Sequence, residues 1–155
     1  MLSLTKKAEY ALIAMYHLAR GEAEAVWSAR DISIRHGVPL PLLMNVLKTL
    51  HHAGLVRSTR GARGGYTLDR PSGSISLAEI IEAVEGPVAL VECVGEAAEQ
   101  GGCDLTETCP IRAPIARIHA RLRQVLADVS LADVAYDEGL VELNTPRKTS
   151  KVLAR

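Results

Sequence analysis

Cys93, Cys103 and Cys109 are the only cysteines of the 155-residue chain, and they are spaced C-x9-C-x5-C. Thiolates are soft ligands, suited to zinc or to iron–sulfur chemistry. The segment that carries them, Glu92 to Pro110, reads ECVGEAAEQGGCDLTETCP. It holds Gly95, Gly101 and Gly102 and no apolar run, which excludes a buried helix or strand. A stretch this long without secondary structure of its own is uncommon in a compact domain and is usually functional or disordered. Three thiols on such a loop suit a metal ion or a cluster around which the loop folds.

A second group of residues suits a polyanion. The net charge is zero, yet residues 1–70 carry ten Lys/Arg against five Asp/Glu, and residues 71–155 carry eight against thirteen. A basic front half favours a nucleic-acid partner there; chance clustering of charge is the plainer alternative. Within that half lies RGARGG, with Arg60 and Arg63 interleaved with Gly61 and Gly64. Glycines supply the positive φ angles of a tight turn and let its tip approach a phosphate or a narrow minor groove. An ordinary solvated turn is the competing reading.

Other chemistries find less support. His17, His36, His51, His52 and His119 are scattered, and no base stands at a recognisable spacing from Cys103 or Cys109. No catalytic residue is assigned, and an enzyme is the least favoured class. A zinc-bound protein–protein adaptor remains open. No window approaches the apolar length of a membrane span, and MLSLTKKAEY lacks a signal-peptide pattern. The expected compartment is the cytoplasm, where thiols stay reduced, so an odd cysteine count reads as ligation or redox sensing.

The elements that position these residues follow from periodicity. Thr5 caps a first helix to about Arg20, with Ala8, Leu12, Met15 and Ala19 on one face. Glu9 lies in its first turn, where the helix dipole favours a carboxylate. Ser28 and Asp31 approximate a capping box for a short helix with Ala29, Ile32 and Ile34 inward, stopped by Gly37. A further helix runs from about Pro41 to His52, burying Leu43, Val46, Leu47 and Leu50, with Gly54 as its terminating glycine. Two helices joined by a short glycine-containing turn form a helix-turn-helix signal. Val56 to Thr59 and Gly65 to Leu68 pair as a hairpin around the arginines, which makes the unit a winged helix. Ser76 and Glu79 cap a helix to about Val84, followed by an extended run from Val88 to Val91.

Pro110 opens a long helix. Ile111, Ile115, Ile118, Leu122, Val125 and Val129 recur at alternating steps of four and three, close to the period of a helix packed along a helical partner. Arg112, Arg117, Arg121, Arg123 and Gln124 occupy its other face. A homodimer is expected along this stripe. Ser130 and Asp133 cap one more short helix. The expected fold is mainly α with a small β-wing: a winged helix-turn-helix domain plus a long C-terminal dimerisation helix. Its divisions are 1–88 for the DNA-binding domain, 89–109 for the cysteine loop, 110–143 for the dimerisation and short terminal helices, and 144–155 for a disordered basic tail.

LTKKAEYALIAMYHLA, GVPLPLLMNVLKTLHHAGLV, RSTRGARGGYTLDRP and ISLAEIIEAVEGPVALVEC together resemble the Rrf2 family of bacterial transcription regulators. The resemblance spans about residues 2–129, and the RGxxGGYxL wing followed by IIEAVEGP is highly specific. It implies a winged-helix homodimer joined by a long C-terminal helix, and an iron–sulfur cluster, [2Fe–2S] or [4Fe–4S], on Cys93, Cys103 and Cys109. Cluster state would then set affinity for a palindromic operator in double-stranded DNA.

Three departures stand out. Cluster-binding members commonly show C-x5-C-x5-C, whereas the first gap here is nine residues. Four extra loop residues cost little entropy. The iron–sulfur biogenesis regulators carry a histidine shortly after the third cysteine, where this chain has Arg112. The wing has Ala62 where proline is usual. Without the histidine, resemblance to the nitric-oxide-responsive members points to Glu9 as a fourth, exchangeable iron ligand; a surface glutamate serving the helix dipole is the alternative. For DNA, Pro41, Asn45, Lys48 and Thr49 on the recognition helix face the major groove. Arg60, Gly61, Arg63 and Gly64 form the wing tip in the minor groove, and Ser28, Arg30 and Arg35 touch phosphates.

Overall fold

The computed structural model describes residues 3–21, 25–61, 63–91 and 108–136. Cys93, Cys103, Ala62 and the basic tail lie outside the described residues. Helix α1 spans Lys6–Arg20, α2 Ala29–His36 and α3 Leu40–His52. Strands β1 (Val56–Thr59) and β2 (Gly65–Leu68) follow, then a 3-10 turn at Ser72–Ser74. Helices α4 (Leu77–Glu85), α5 (Arg112–Asp128) and α6 (Leu131–Tyr136) complete the described chain.

Helix α1 is the central spar. Thr5 Oγ1 accepts from the Ala8 amide and starts it, and Gly21 ends it. Ala8, Ala11, Ala14, Met15, Leu18 and Ala19 are buried, and α3, α4 and α6 all pack on them. The small residues let these helices approach closely. Leu12, expected in the core, is only half-buried against it.

The helix-turn-helix is built as the spacing suggests. Ser28 Oγ caps α2 by accepting from the Asp31 amide at 3.1 Å. Gly37, Val38 and Pro39 make the turn into α3, and Pro41 sits in the first helical turn, where no amide hydrogen is needed. Leu43, Val46, Leu47 and Leu50 are buried, each stabilising the fold by about 1.5–3 kcal/mol. The helix closes in a Schellman arrangement: Gly54 N–H donates to His51 O at 3.1 Å and Leu55 N–H to Leu50 O at 3.0 Å. Gly54 takes φ 71°, a conformation that side chains disfavour. Ile34, expected inward, is 75% exposed. It lies two residues from buried Ile32, about 200° around the helix, so both cannot face the core.

β1 and β2 pair antiparallel in the register Val56↔Leu68 to Thr59↔Gly65. Trp27 extends this sheet by a one-residue bridge, its N–H donating to Tyr66 O at 3.0 Å and its O accepting from Tyr66 N–H at 2.8 Å. Val88–Val91 forms no strand.

Ser76 and Glu79 form a complete capping box at the start of α4, and Arg70 adds an ion pair to Glu79 at 2.6 Å. The first turn of α1 is tied to the last turn of α4: Thr5 Oγ1 donates to Glu85, and Lys7 Nζ to the Val84 carbonyl. Helix α5 begins at Arg112, two residues after Pro110, with Ile111 at its N-cap, and it ends before Val129, which is extended. Arg123 pairs with Glu82 across to α4 at 3.0 Å. Ile111 and Ile118 of the expected stripe are 59% and 56% exposed in the single chain, and Ile115, Leu122 and Val125 are half-buried. Leu131 and Ala135 bring α6 back into the core beside α1.

Candidate nucleic-acid interface

Pro41, Asn45 and Lys48 lie exposed on the outer side of α3, opposite its buried stripe. Thr49 is half-buried, and its hydroxyl donates back to the Asn45 carbonyl at 3.1 Å. Ser28 is likewise engaged: its hydroxyl donates to Asp31 Oδ2 at 2.6 Å while it caps α2. Leu42 and Met44, which sequence reasoning left out, are 49% and 51% exposed on α3. Apolar groups on such a face can contact thymine methyl groups. Their signal in the sequence was weak, because an apolar residue next to a core position reads as core.

Arg30 and Arg35 are exposed on α2, and Arg60 and Arg63 are exposed at the hairpin tip. None of the four forms an ion pair among the described residues. Arg57 and Arg70, by contrast, are committed to Asp69 and Glu79. The tip turns through Gly61 at φ 119°, and Gly64 N–H donates to Gly61 O at 2.9 Å. A Cβ on Gly64 would meet Thr59 O at 2.4 Å, so a side chain there would open the turn. Four uncommitted guanidinium groups beside an exposed helix face can neutralise phosphates while α3 reads base edges.

Of the cysteines, Cys109 is described. Its residue is half-buried just ahead of α5, and its carbonyl accepts from Arg112 N–H at 3.4 Å. Among the described residues no three His, Cys, Asp or Glu side chains converge. Glu9 is paired with Lys6 at 2.6 Å on its own helix and keeps 40% of its side chain exposed. It stands within one turn of Thr5 and Lys7, whose bonds hold the end of α4 from which the chain leaves toward Cys93. Among the described residues no helix is long and apolar enough to cross a membrane.

One polar pair was not anticipated. His17 of α1 and His36 of α2 meet with Nδ1 and Nε2 2.9 Å apart. Burial holds both below the ordinary histidine pKa; His36 and Arg35 lower His17 further, and Arg35 lowers His36. The folded chain therefore resists protons that the unfolded chain accepts near pH 6.5. Stability is expected to fall as pH drops through that value toward the lower folded values. Glu79 is held below its ordinary value by its bond from the Ser76 amide, then by Arg70, so a further loss sets in only below about pH 4.5. Thermal melting at pH 7.5 and 5.5 should show the lower midpoint at 5.5, and His36→Gln should narrow the gap. Equal midpoints in the native chain would contradict this.

The family model described as "Rrf2: Iron-dependent Transcriptional regulator" matches residues 4–137. The chain is 36% identical over 137 residues to a Mycobacterium tuberculosis protein named "Putative HTH-type transcriptional regulator Rv1287"; the match covers 86% of this chain and 81% of that protein. It is 32% identical to the HTH-type transcriptional regulator IscR of Klebsiella pneumoniae, covering 92% of this chain and 85% of the relative. Among solved structures, that of CymR, titled the global cysteine regulator of B. subtilis, superposes with a TM-score of 0.68 at 31% identity. That match covers 87% of this chain and 97% of the other.

Proposed function

Because this chain belongs to the Rrf2 family of DNA-binding transcriptional regulators, we propose that it is a homodimer whose affinity for a palindromic operator is set by an iron–sulfur cluster. The observation that carries the DNA half is the exposed face of α3 flanked by four arginines that form no ion pair among the described residues. Pro41, Asn45, Lys48 and Thr49 lie toward the major groove; Arg60 and Arg63, turned by Gly61 and Gly64, hold the minor groove. Arg30 and Arg35 contact phosphates, and Ser28 contributes through the start of α2 that it caps. Residues 1–88 are then the reader, 110–143 the dimerising part, and 144–155 a tail.

Cys93, Cys103 and Cys109 would hold the cluster in the segment 89–109, with Glu9 as the oxygen donor. The donor set fits: three thiols suit iron–sulfur chemistry, and a half-exposed Cys109 at the threshold of α5 is accessible. When bound, the cluster supplies a centre that responds to redox state, nitric oxide or iron supply. The chain's own part is to join that centre to both helices at once, α5 through Cys109 and α1 through the bonds of Thr5 and Lys7 to α4. The apolar edge of α5 at Ile111 and Ile118 is the surface on which two copies would pack.

Protein prepared without air should be brown, contain iron and acid-labile sulfide, and show visible charge-transfer bands. Cys109→Ala should lose the colour and change operator affinity. Colourless, metal-free protein whose DNA binding ignores all three cysteine substitutions would remove the cluster. A second reading keeps the same DNA module without a cluster, switched by thiols, a metabolite or a partner protein. It is favoured by the nine-residue first gap, by Arg112 in place of histidine, and by the likeness to CymR. Colourless protein whose operator affinity still depends on the cysteines would select it.

A further inference from the structure

The ends of α1 and α2 enclose a cleft of about 290 Å3 that neither the DNA contacts nor the cysteines account for. Tyr16, His17, Arg20, Trp27, Arg35 and His36 wall it, and among the described residues no carboxylate does. His17 is 6% exposed, is bonded to His36 through Nδ1, and meets Trp27 edge to face with ring centroids 4.5 Å apart. Among the described residues its Nε2 has no hydrogen-bond partner, and neither has the buried Nε1 of Trp27. Buried polar atoms are nearly always paired, so two orphans at one cleft call for an explanation. An indole N–H can only donate, so whatever satisfies it must be an acceptor. In the tautomer in which His36 Nε2–H donates to His17 Nδ1, His17 Nε2 carries that ring's proton and donates as well.

The charges agree. The carbonyl ends of α1 and α2 contribute roughly half a negative charge each. Arg20 and Arg35 bring two whole positive charges, and neither is in an ion pair among the described residues. Among the described residues this balance disfavours a metal cation despite the two facing imidazoles. Arg20 Nη1 is also pinned to the Ala135 carbonyl at 2.9 Å, which holds its guanidinium in place. The volume is at the small end of ligand cavities. Gly21 keeps the cleft open: a Cβ there would stand 2.5 Å from Trp27 Nε1.

We infer that this cleft is an effector site for a small carboxylic acid, gripped by Arg20 and Arg35 with its oxygens accepting from Trp27 and His17. Arg35 is also a phosphate-contacting candidate, and the Trp27 backbone is bonded to Tyr66 at the base of the wing. Occupancy therefore competes for Arg35 and weakens operator binding. That coupling rests on the proposed function; the binding does not.

Trp27 is the only tryptophan, so its emission reports this cleft alone. Acetate, succinate and citrate would be titrated into the purified full chain at fixed ionic strength, with chloride as baseline and inorganic phosphate as the other oxyanion. At least one carboxylate should give a saturable change. Arg35→Ala should weaken it about tenfold, as expected for a lost charge-assisted bond, and Gly21→Ala should abolish it while leaving every charge in place. No saturation beyond chloride, or curves that neither variant alters, would overturn the site. Saturation by phosphate alone would overturn its assignment to a carboxylate. In operator binding, the saturating carboxylate should reduce affinity several-fold for the native chain and not for Arg35→Ala. Saturable emission without that reduction overturns the coupling alone. Failure to bind any operator, probe absent, overturns the proposed function and leaves the cleft standing.

Discussion

Replacing Arg60 and Arg63 together by alanine is expected to weaken operator binding about ten- to a hundredfold and to reduce the salt slope by about two. Both side chains are exposed at the hairpin tip, and neither is in an ion pair among the described residues. Each phosphate neutralised by a cation contributes about 0.9 to the slope of log affinity against log salt. Removing both guanidinium groups should therefore appear in the slope as well as the intercept, which separates direct phosphate binding from a folding defect. Arg57→Ala is the control. Arg57 lies on the same hairpin but is bound to Asp69 at 3.0 Å, so its loss should leave the slope nearly unchanged. Fluorescence anisotropy at several salt concentrations measures both quantities. An unchanged slope in the double variant would place the DNA elsewhere.

Gly65→Ala should destabilise the fold by about 2–4 kcal/mol, among the larger effects available to one methyl group. The added Cβ would meet Trp27 O at 2.4 Å, Trp27 C at 2.6 Å and Ser28 N at 3.0 Å. All three are backbone atoms, so no side chain can swing away. The strand must separate from Trp27, which strains or breaks the two bonds between Trp27 and Tyr66. For a chain of this size each kcal/mol shifts the melting midpoint by roughly 2–4 °C, so a fall on the order of 10 °C is expected. Gly73→Ala is the comparison, since its Cβ would find only Ala132 at 4.0 Å. Equal midpoints for the two variants would show that the close approach at Gly65 is not rigid.

The elements were legible where their signals are local. Thr5, Ser28 and Ser76 announce three helix starts, and Gly37 and Gly54 end two helices. The strand limits followed from the glycines and arginines between them. What escaped was non-local. Trp27 joins the sheet by one bridge, too short to leave an alternating pattern, to a residue 39 positions later. His17 and His36 are nineteen residues apart, and neither helix alone says that their rings meet. Ile34 adds to the apolar count of a helix of eight residues, but the helical period turns it away from buried Ile32 and into solvent. The stripe on α5 was readable, whereas its covering was not, because a single chain leaves Ile111 and Ile118 open. The cysteine spacing was plain in the sequence, but Cys93 and Cys103 lie outside the described residues.

The stitch between Thr5 and Glu85, with that from Lys7 to the Val84 carbonyl, has a mechanical meaning. A fifteen-residue helix such as α1 is a stiff bar of roughly 22 Å, and α3 is packed on its flank. Force applied where the chain departs from α4 is handed to that bar as a torque, and whatever leans on the bar tilts with it.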